Sequence, residues 1–258
     1  MVELARRLVL SALFLSIVVV GARAEDLAKA QSLAAQGNHA YEAGDYDGAI
    51  ESYQAAIDAG LNHEVLFYNL GNAWFKKGSV GKAILYYRRA LLRDPRNSAA
   101  RENLKQAKAL IKDEALAPLS IPLFLKPLVW LYSHFSLDEW TGAALGFWLL
   151  LALVGALRAW WRPSWLKGRG MIWALCCLFA VCSTMTLVHA DNQLRHRAAI
   201  VTTTEVDVRS GPGENYNLSF KIHEGLRVFV DTQRPQWTRI HLGGDLIGWV
   251  PASSIEEI

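Results

Sequence analysis

Fifty consecutive positions, Thr141 to Ala190, hold only four of the 51 charged side chains in a sequence with 27 Lys and Arg and 24 Asp and Glu. The four are Arg158, Arg162, Lys167 and Arg169, all basic. Seven of the ten tryptophans, Trp130 to Trp173, lie in or beside this block. This is membrane composition set inside an otherwise soluble chain of 258 residues, and it excludes both a single globular domain and disorder throughout. Thr141 to Leu157 is uncharged, and Arg158 to Trp161 can anchor at the interface, so a first span is expected at 141–161. A second is expected at 170–190. The loop between them, 162–169, is short, basic and free of acids, whereas Asp138, Glu139 and Asp191 flank the other ends. The positive-inside rule therefore places the loop in the cytoplasm and both flanking parts outside it. Neither span carries an acid, which leaves an ion or proton pathway without residues to use. Cys176, Cys177, Cys182 and His189 read as apolar or interface fillers, and three cysteines in one apolar run cannot form a disulfide framework.

The amino terminus agrees with that topology. Arg6 and Arg7 precede an apolar stretch from Leu8 to Val20, and Ala22-Arg23-Ala24 supplies a small-x-small cleavage site. Residues 1–24 are expected to be a signal peptide; an uncleaved anchor is the other reading, and both place the segment after Ala24 outside the cytoplasm. Without these residues the chain has 24 basic against 23 acidic side chains, so net charge points to no partner, and no basic patch suggests nucleic acid. Between the soluble amino-terminal part and the spans, 117–140 is apolar but contains Pro122, Lys126, Pro127 and His134. Proline is poorly tolerated mid-helix, so this segment is expected to lie on the bilayer surface.

Residues 28–115 contain an internal repeat. A shift of 34 positions superposes Gly37 on Gly71, Asn38 on Asn72, Gly44 on Gly78, Ala49 on Ala83, Ile50 on Ile84, Tyr53 on Tyr87 and Ala56 on Ala90. The small residues permit close approach of paired helices, and Gly44 and Gly78 fall where a helix end wants a positive φ. The pattern resembles the tetratricopeptide repeat, most closely in the second unit with Leu70-Gly71, Trp74, Ala83, Tyr87, Ala90 and Pro95. The domain is expected at 25–116, with units 28–61 and 62–95 and a capping helix that turns Leu104, Ala107 and Ile111 inward and Arg101, Lys105, Lys108 and Lys112 to solvent. The concave face would carry Asn38, Tyr41, Asn69, Asn72, Phe75 and Asn103 as a clamp for an extended peptide, since an amide donates and accepts at once. Ala34 and Ala99 stand where a cation would be needed to hold a terminal carboxylate, which disfavours carboxylate capture.

From Ala198 the pattern changes to short alternating stretches: Ala198–Thr203, Val206–Arg209, Arg227–Asp231, Trp237–His241 and Ile247–Val250. Gly211-Pro212-Gly213, Glu224-Gly225 and Gly243-Gly244-Asp245 mark turns. The order of Val206-Asp207-Val208-Arg209-Ser210-Gly211-Pro212-Gly213, Glu224-Gly225, Trp237 and Gly248-Trp249-Val250 resembles the bacterial SH3-like domain, which implies a small barrel at 198–258. The resemblance also implies peptidoglycan or protein binding at the loop after Arg209, with Tyr216 and Trp237 as ligand-facing residues and Trp249 in the core.

No constellation for chemistry is present. The seven histidines lack metal-ligand spacing, and no nucleophile elbow or phosphate-binding glycine loop occurs, so the chain is expected to be no enzyme and to need no cofactor. The expected fold is multidomain: an all-α repeat domain, a two-helix transmembrane hairpin and an all-β SH3-like barrel. This order of parts resembles the BatE-like proteins of bacterial aerotolerance (Bat) clusters. The resemblance implies a scaffold in the inner membrane, with von Willebrand factor A domain membrane proteins and a MoxR-type ATPase system as partners. A module that binds or senses the cell wall through peptidoglycan is the alternative.

Overall fold

The structure is a computed structural model and describes residues 26–113, 122–160, 170–195, 197–242 and 246–258. The expected signal peptide, the loop 162–169 expected in the cytoplasm and the expected Gly243-Gly244-Asp245 turn lie outside those residues.

Five helices open the described chain: α1 (26–42), α2 (Tyr46–Asp58), α3 (Glu64–Lys76), α4 (Val80–Arg93) and α5 (Ser98–Lys108). Their starts are set by local chemistry. Asp45 accepts from the Gly48 N–H at 3.0 Å and Asn97 from the Ala100 N–H at 2.9 Å, each satisfying a donor that the first helical turn leaves open. Gly44 and Gly78 turn the chain between paired helices at φ 79° and 86°, a conformation that costs an L side chain. A Cβ on Gly71 would lie 2.7 Å from the Tyr87 ring, and one on Gly37 2.5 Å from Tyr53, so each tyrosine lies flat against a glycine of the preceding helix. Tyr53, Leu70, Ile84, Leu85 and Tyr87 are fully buried in the resulting core.

After Pro122, a 3₁₀ turn (Leu123–Leu125) leads into α6 (Lys126–His134). Pro127 sits in the first turn of α6, where its missing N–H costs nothing. The helix buries no residue and exposes Leu128, Val129 and Trp130. Its polar edge rests on α8, where Tyr132 stacks on His189 at 3.9 Å between ring centroids and accepts from Asn192 Nδ2 at 2.8 Å.

α7 (Leu137–Trp160) and α8 (Gly170–Arg195) pack side by side. α7 begins before the expected position because Ser136 and Glu139 form a capping box: Ser136 N–H donates to Glu139 Oε2 at 2.9 Å, and Glu139 N–H to Ser136 Oγ at 3.3 Å. Leu137–Arg158 and Gly170–Asn192 have mean hydropathy 1.8 and 2.2, and only 6% of each window is buried. Two helices long and apolar enough to cross a membrane therefore present their apolar surface outward, unlike the core helix of a soluble protein.

The carboxyl-terminal part is a seven-stranded antiparallel sheet: β1 (Ala198–Val201), β2 (Glu205–Arg209), β3 (Leu218–His223), β4 (Arg227–Gln233), β5 (Trp237–His241), β6 (Ile247–Pro251) and β7 (Ile255–Glu257). The strand order is β3-β2-β6-β5-β4-β1-β7, so the sheet is open, with β3 and β7 at its edges; the expected small barrel at 198–258 is corrected to this arrangement. Two strands escaped the sequence pattern. β7 has only three residues, and β3 joins β2 through a register shift at Val208/Arg209 that interrupts the alternation.

β1 is buried on both faces. Alternation sends Ala199 and Val201 into the sheet core with Val208, Val228 and Val250, while Ile200 points the other way and joins the core of the helical repeats. Gly81 on α4 lies against the Val201 carbonyl and donates to Glu224 Oε2 at 3.2 Å. Arg89 pairs with Glu256 at 3.1 Å, and Asp113 accepts from the His223 N–H at 2.6 Å and meets His223 Nδ1 at 2.8 Å. Repeats and sheet thus meet at one end of the α7–α8 pair, and an Arg96–Glu139 ion pair fastens the repeats to the start of α7.

Gly225 tests this docking. Its φ is 85°, and a Cβ there would press on Ile111 and come within 2.9 Å of Ile84 Cδ1. Gly225→Ala is expected to weaken the junction by about 1–3 kcal/mol, read as faster amide hydrogen exchange in β1 and the adjoining face of α4 with α1–α3 unchanged.

Candidate functional site: an asparagine ladder

The first helix of each repeat unit and the capping helix contribute to one face: Asn38 and Tyr41 from α1, Asn69 and Asn72 from α3, and Asn103 from α5. Two equivalent rungs form there. Asn38 Oδ1 accepts from the Tyr53 hydroxyl at 2.8 Å and from Asn69 Nδ2 at 3.1 Å. Asn72 Oδ1 accepts from the Tyr87 hydroxyl at 2.8 Å and from Asn103 Nδ2 at 2.9 Å. Each carbonyl oxygen has two lone pairs and both are used. Neither Asn38 Nδ2 nor Asn72 Nδ2 has a partner among the described residues, so the ladder presents amide donors outward.

Beside the first rung is a hollow of about 330 Å³ lined by Asn38, Tyr41, Glu42, Tyr53, Asn69 and Asn72. Four expected residues come together there. Asn103 belongs to the second rung, and Phe75 packs on the repeat core instead. Glu42 and Tyr53 were not expected as lining residues. The signal for Tyr53 was in the sequence, because each rung pairs an asparagine with a tyrosine 15 residues further on. Glu42 is the one charged group of the lining, which makes the hollow neutral to acidic. Amide donors suit the carbonyls of an extended chain, and a carboxylate accepts from its N–H groups; a terminal carboxylate finds no cation in this lining.

Burial keeps the rung tyrosines protonated. It pushes the Tyr53 hydroxyl up to about 12, with the Tyr41 and Glu42 charges adding to it, and it raises Tyr87 further still. Tyr86, elsewhere on α4, also rises to about 12 through burial and then Glu256.

On the sheet, Tyr216 is exposed and lies over Gly211. Arg209 holds its loop by donating from Nη1 to the Glu214 and Tyr216 carbonyls at 2.9 and 3.0 Å. Trp237 is half-buried on β5, and among the described residues no ring contact joins it to Tyr216. Trp249, expected in the core, is half-buried with the Arg234 guanidinium 4.9 Å from its ring centroid, because its β6 position points away from buried Gly248 and Val250. His223 and His241 stay apart, on β3 and β5, and pair with Asp113 and Asp231. No group of three or more His, Cys, Asp or Glu able to hold a metal ion occurs among the described residues.

Residues 34–102 match the tetratricopeptide repeat family model, so these helices are tetratricopeptide repeats. The chain is 41% identical over 83 residues to a small glutamine-rich tetratricopeptide repeat-containing protein 2 of Mycosarcoma maydis, covering 32% of this chain and 24% of that protein. It is 32% identical over 73 residues to the putative N-acetylmuramoyl-L-alanine amidase YrvJ of Bacillus subtilis, covering 28% of this chain and 13% of that one. It therefore spans a quarter or less of these curated relatives. Among solved structures, the second repeat domain of Spaghetti (RPAP3), bound to an HSP90 peptide, is 27% identical with a TM-score of 0.33, over 34% of this chain and 82% of its own. The TPR2B domain of yeast Sti1, in a pHsp70 complex, is 16% identical with a TM-score of 0.30, over 60% of this chain and 97% of its own.

Two outcomes test the ladder's internal chemistry. Tyr87→Phe removes one of the two donors to Asn72 Oδ1 and is expected to cost about 0.5–1.5 kcal/mol, measured by chemical denaturation followed by circular dichroism. The stability tied to the buried tyrosines is complete below the free-tyrosine value of 10.0 and is lost as pH rises from there through about 12, since the unfolded chain gives up these protons first. Melting temperature should fall across that window, with tyrosinate absorbance of the folded protein lagging that of the unfolded protein.

Proposed function

We propose that this protein is a membrane-anchored, non-catalytic scaffold whose repeats seize an extended segment of a partner protein on the asparagine ladder. The observation that carries this reading is the saturation of Asn38 and Asn72 Oδ1, which leaves the two amide donors facing the hollow. On this reading α7 and α8 cross the bacterial inner membrane, and the sheet is an SH3-like module with Tyr216 and Trp237 on its ligand surface. Contact between repeats and sheet supports placing both on one side of the bilayer. The basic composition of 162–169 supports making that side the periplasm. The order of parts supports a BatE-like role in an aerotolerance complex, with von Willebrand factor A membrane proteins and a MoxR-type ATPase system as partners.

A second reading makes the sheet the functional end, attached to peptidoglycan. The likeness to a putative N-acetylmuramoyl-L-alanine amidase favours it, together with the exposed Tyr216 ring.

Affinity purification of the full chain from native membranes separates the readings. Asn69→Ala combined with Asn72→Ala is expected to lower recovery of a protein partner by about tenfold, the worth of one or two hydrogen bonds, with retention on purified cell wall unchanged. Loss of wall retention on Tyr216→Ala, with protein partners kept by the ladder variant, would favour the second reading. For topology, single cysteines at Gly60, Trp165 and Val230, in a chain whose three native cysteines are replaced by serine, are expected to react with an impermeant thiol reagent at 60 and 230 and not at 165. Labelling of 165 from outside would overturn the orientation.

A further inference from the structure

A second and larger cavity, about 950 Å³, opens where α4, the α6–α7 junction, the end of α8 and the β1–β4 pair converge. Leu137 and Asn192, at the adjoining ends of the two apolar helices, both line it, so on the reading that these helices cross a membrane the cavity lies at the level of the lipid head groups. Its wall carries five arginines, Arg88, Arg89, Arg93, Arg197 and Arg227, against two acidic side chains, Asp138 and Glu257, with Ile258, the last residue of the sequence, beside them. Arg89 is engaged by Glu256 at 3.1 Å and Arg197 by Glu257 at 3.7 Å. Arg88, Arg93 and Arg227 have no ion pair among the described residues. Arg88 Nε is sealed from solvent and makes no hydrogen bond, although a sealed guanidinium donor without a partner is costly.

Geometry and field agree. Burial pushes Arg88 down to about 10, and the Arg227 charge adds to the effect; burial also lowers Arg227. Lys108, on α5, is lowered by burial and then by the Arg88 and Arg227 charges, which places three cations within one another's field. Like charges gathered around a sealed donor are stabilised by an anion, and a guanidinium suits phosphate because it offers several donors in one plane. The rest of the wall is mixed: Leu91, Leu92, Leu104 and Phe135 give it an apolar part, and Ser133, Ser136, His189 and Asn192 a polar one.

We propose that this cavity binds the phosphate head group of an anionic phospholipid, with Arg88 and Arg227 as its ligands and the apolar part of the wall receiving the start of the acyl chains. The site is separate from the asparagine ladder and rests on the membrane reading of α7 and α8.

The test uses the full chain, purified in a neutral detergent and titrated with phosphatidylglycerol or phosphatidylcholine under native mass spectrometry. One phosphatidylglycerol per chain is expected to be held about tenfold more tightly than phosphatidylcholine. Arg88→Gln and Arg227→Gln should each abolish most of that preference, and Lys76→Gln, at an exposed position on α3, should leave it intact. Without lipid, Arg88→Gln should melt no lower than wild type, because it removes an unpaired cation; with phosphatidylglycerol only wild type should gain. Equal binding of the two lipids, or a preference that survives both arginine variants, overturns the proposal. Inorganic phosphate that raises the melting temperature where phosphatidylglycerol does not would assign the site to a soluble anion and overturn the lipid. An alkaline carbonate wash keeps the two readings distinct: release of the chain from membranes sinks the membrane reading and this proposal with it, whereas retention without lipid preference sinks this proposal alone.

Discussion

The contact of β1 with α4 makes one molecule out of parts that the chain keeps far apart. Ile200 is buried among the repeat helices and its neighbours Ala199 and Val201 among the strands, so one four-residue strand belongs to two cores. Around it, Gly81 and Gly225 remove the side chains that would hold helix and sheet apart, and the Asp113–His223 and Arg89–Glu256 pairs fasten the rim. The residues joined are up to 168 positions apart, with both apolar helices between them. Closing so long a loop has an entropic cost, and the packing of α7 against α8 within it offsets part of that cost.

Legibility in the sequence follows the range of the interactions. The repeat could be read from seven coincidences at one offset because its rules are local: a glycine where φ is positive, a glycine beneath a tyrosine, an asparagine at the same register in each unit. The ladder's positions were legible for that reason, but its chemistry was not. Which lone pairs are occupied depends on partners 15 and 31 residues away whose hydroxyl and amide directions no spacing reveals. The start of α7 was also written locally, in Ser136 and Glu139, but hydropathy masks a polar capping box in front of an apolar run. The sheet was read through its alternating strands and underestimated where alternation stops, at the shift between β2 and β3 and in the three residues of β7. Trp249 was misplaced because an aromatic residue in a strand says nothing of which face it takes.

The ladder hollow and the cavity beside the apolar helices differ in electrostatic character. The ladder is neutral except for Glu42, and its strength is directional, with donors aimed and acceptors already used. The cavity beside the apolar helices is cationic and loosely shaped, with partly apolar walls. On the proposed readings an extended peptide and an anion make opposite demands, and the helices keep the two apart, with amides on the α1, α3 and α5 face and arginines on α4.

α4 serves every one of these features. Tyr87 holds Asn72 in place on one side, Gly81 and Ile84 receive the sheet on another, and Arg88 reaches the cavity. A helix shared in this way cannot be quietened or loosened for one neighbour alone. On the reading that the ladder holds a partner segment, order imposed on α4 from that side would be order that the sheet and the cavity share.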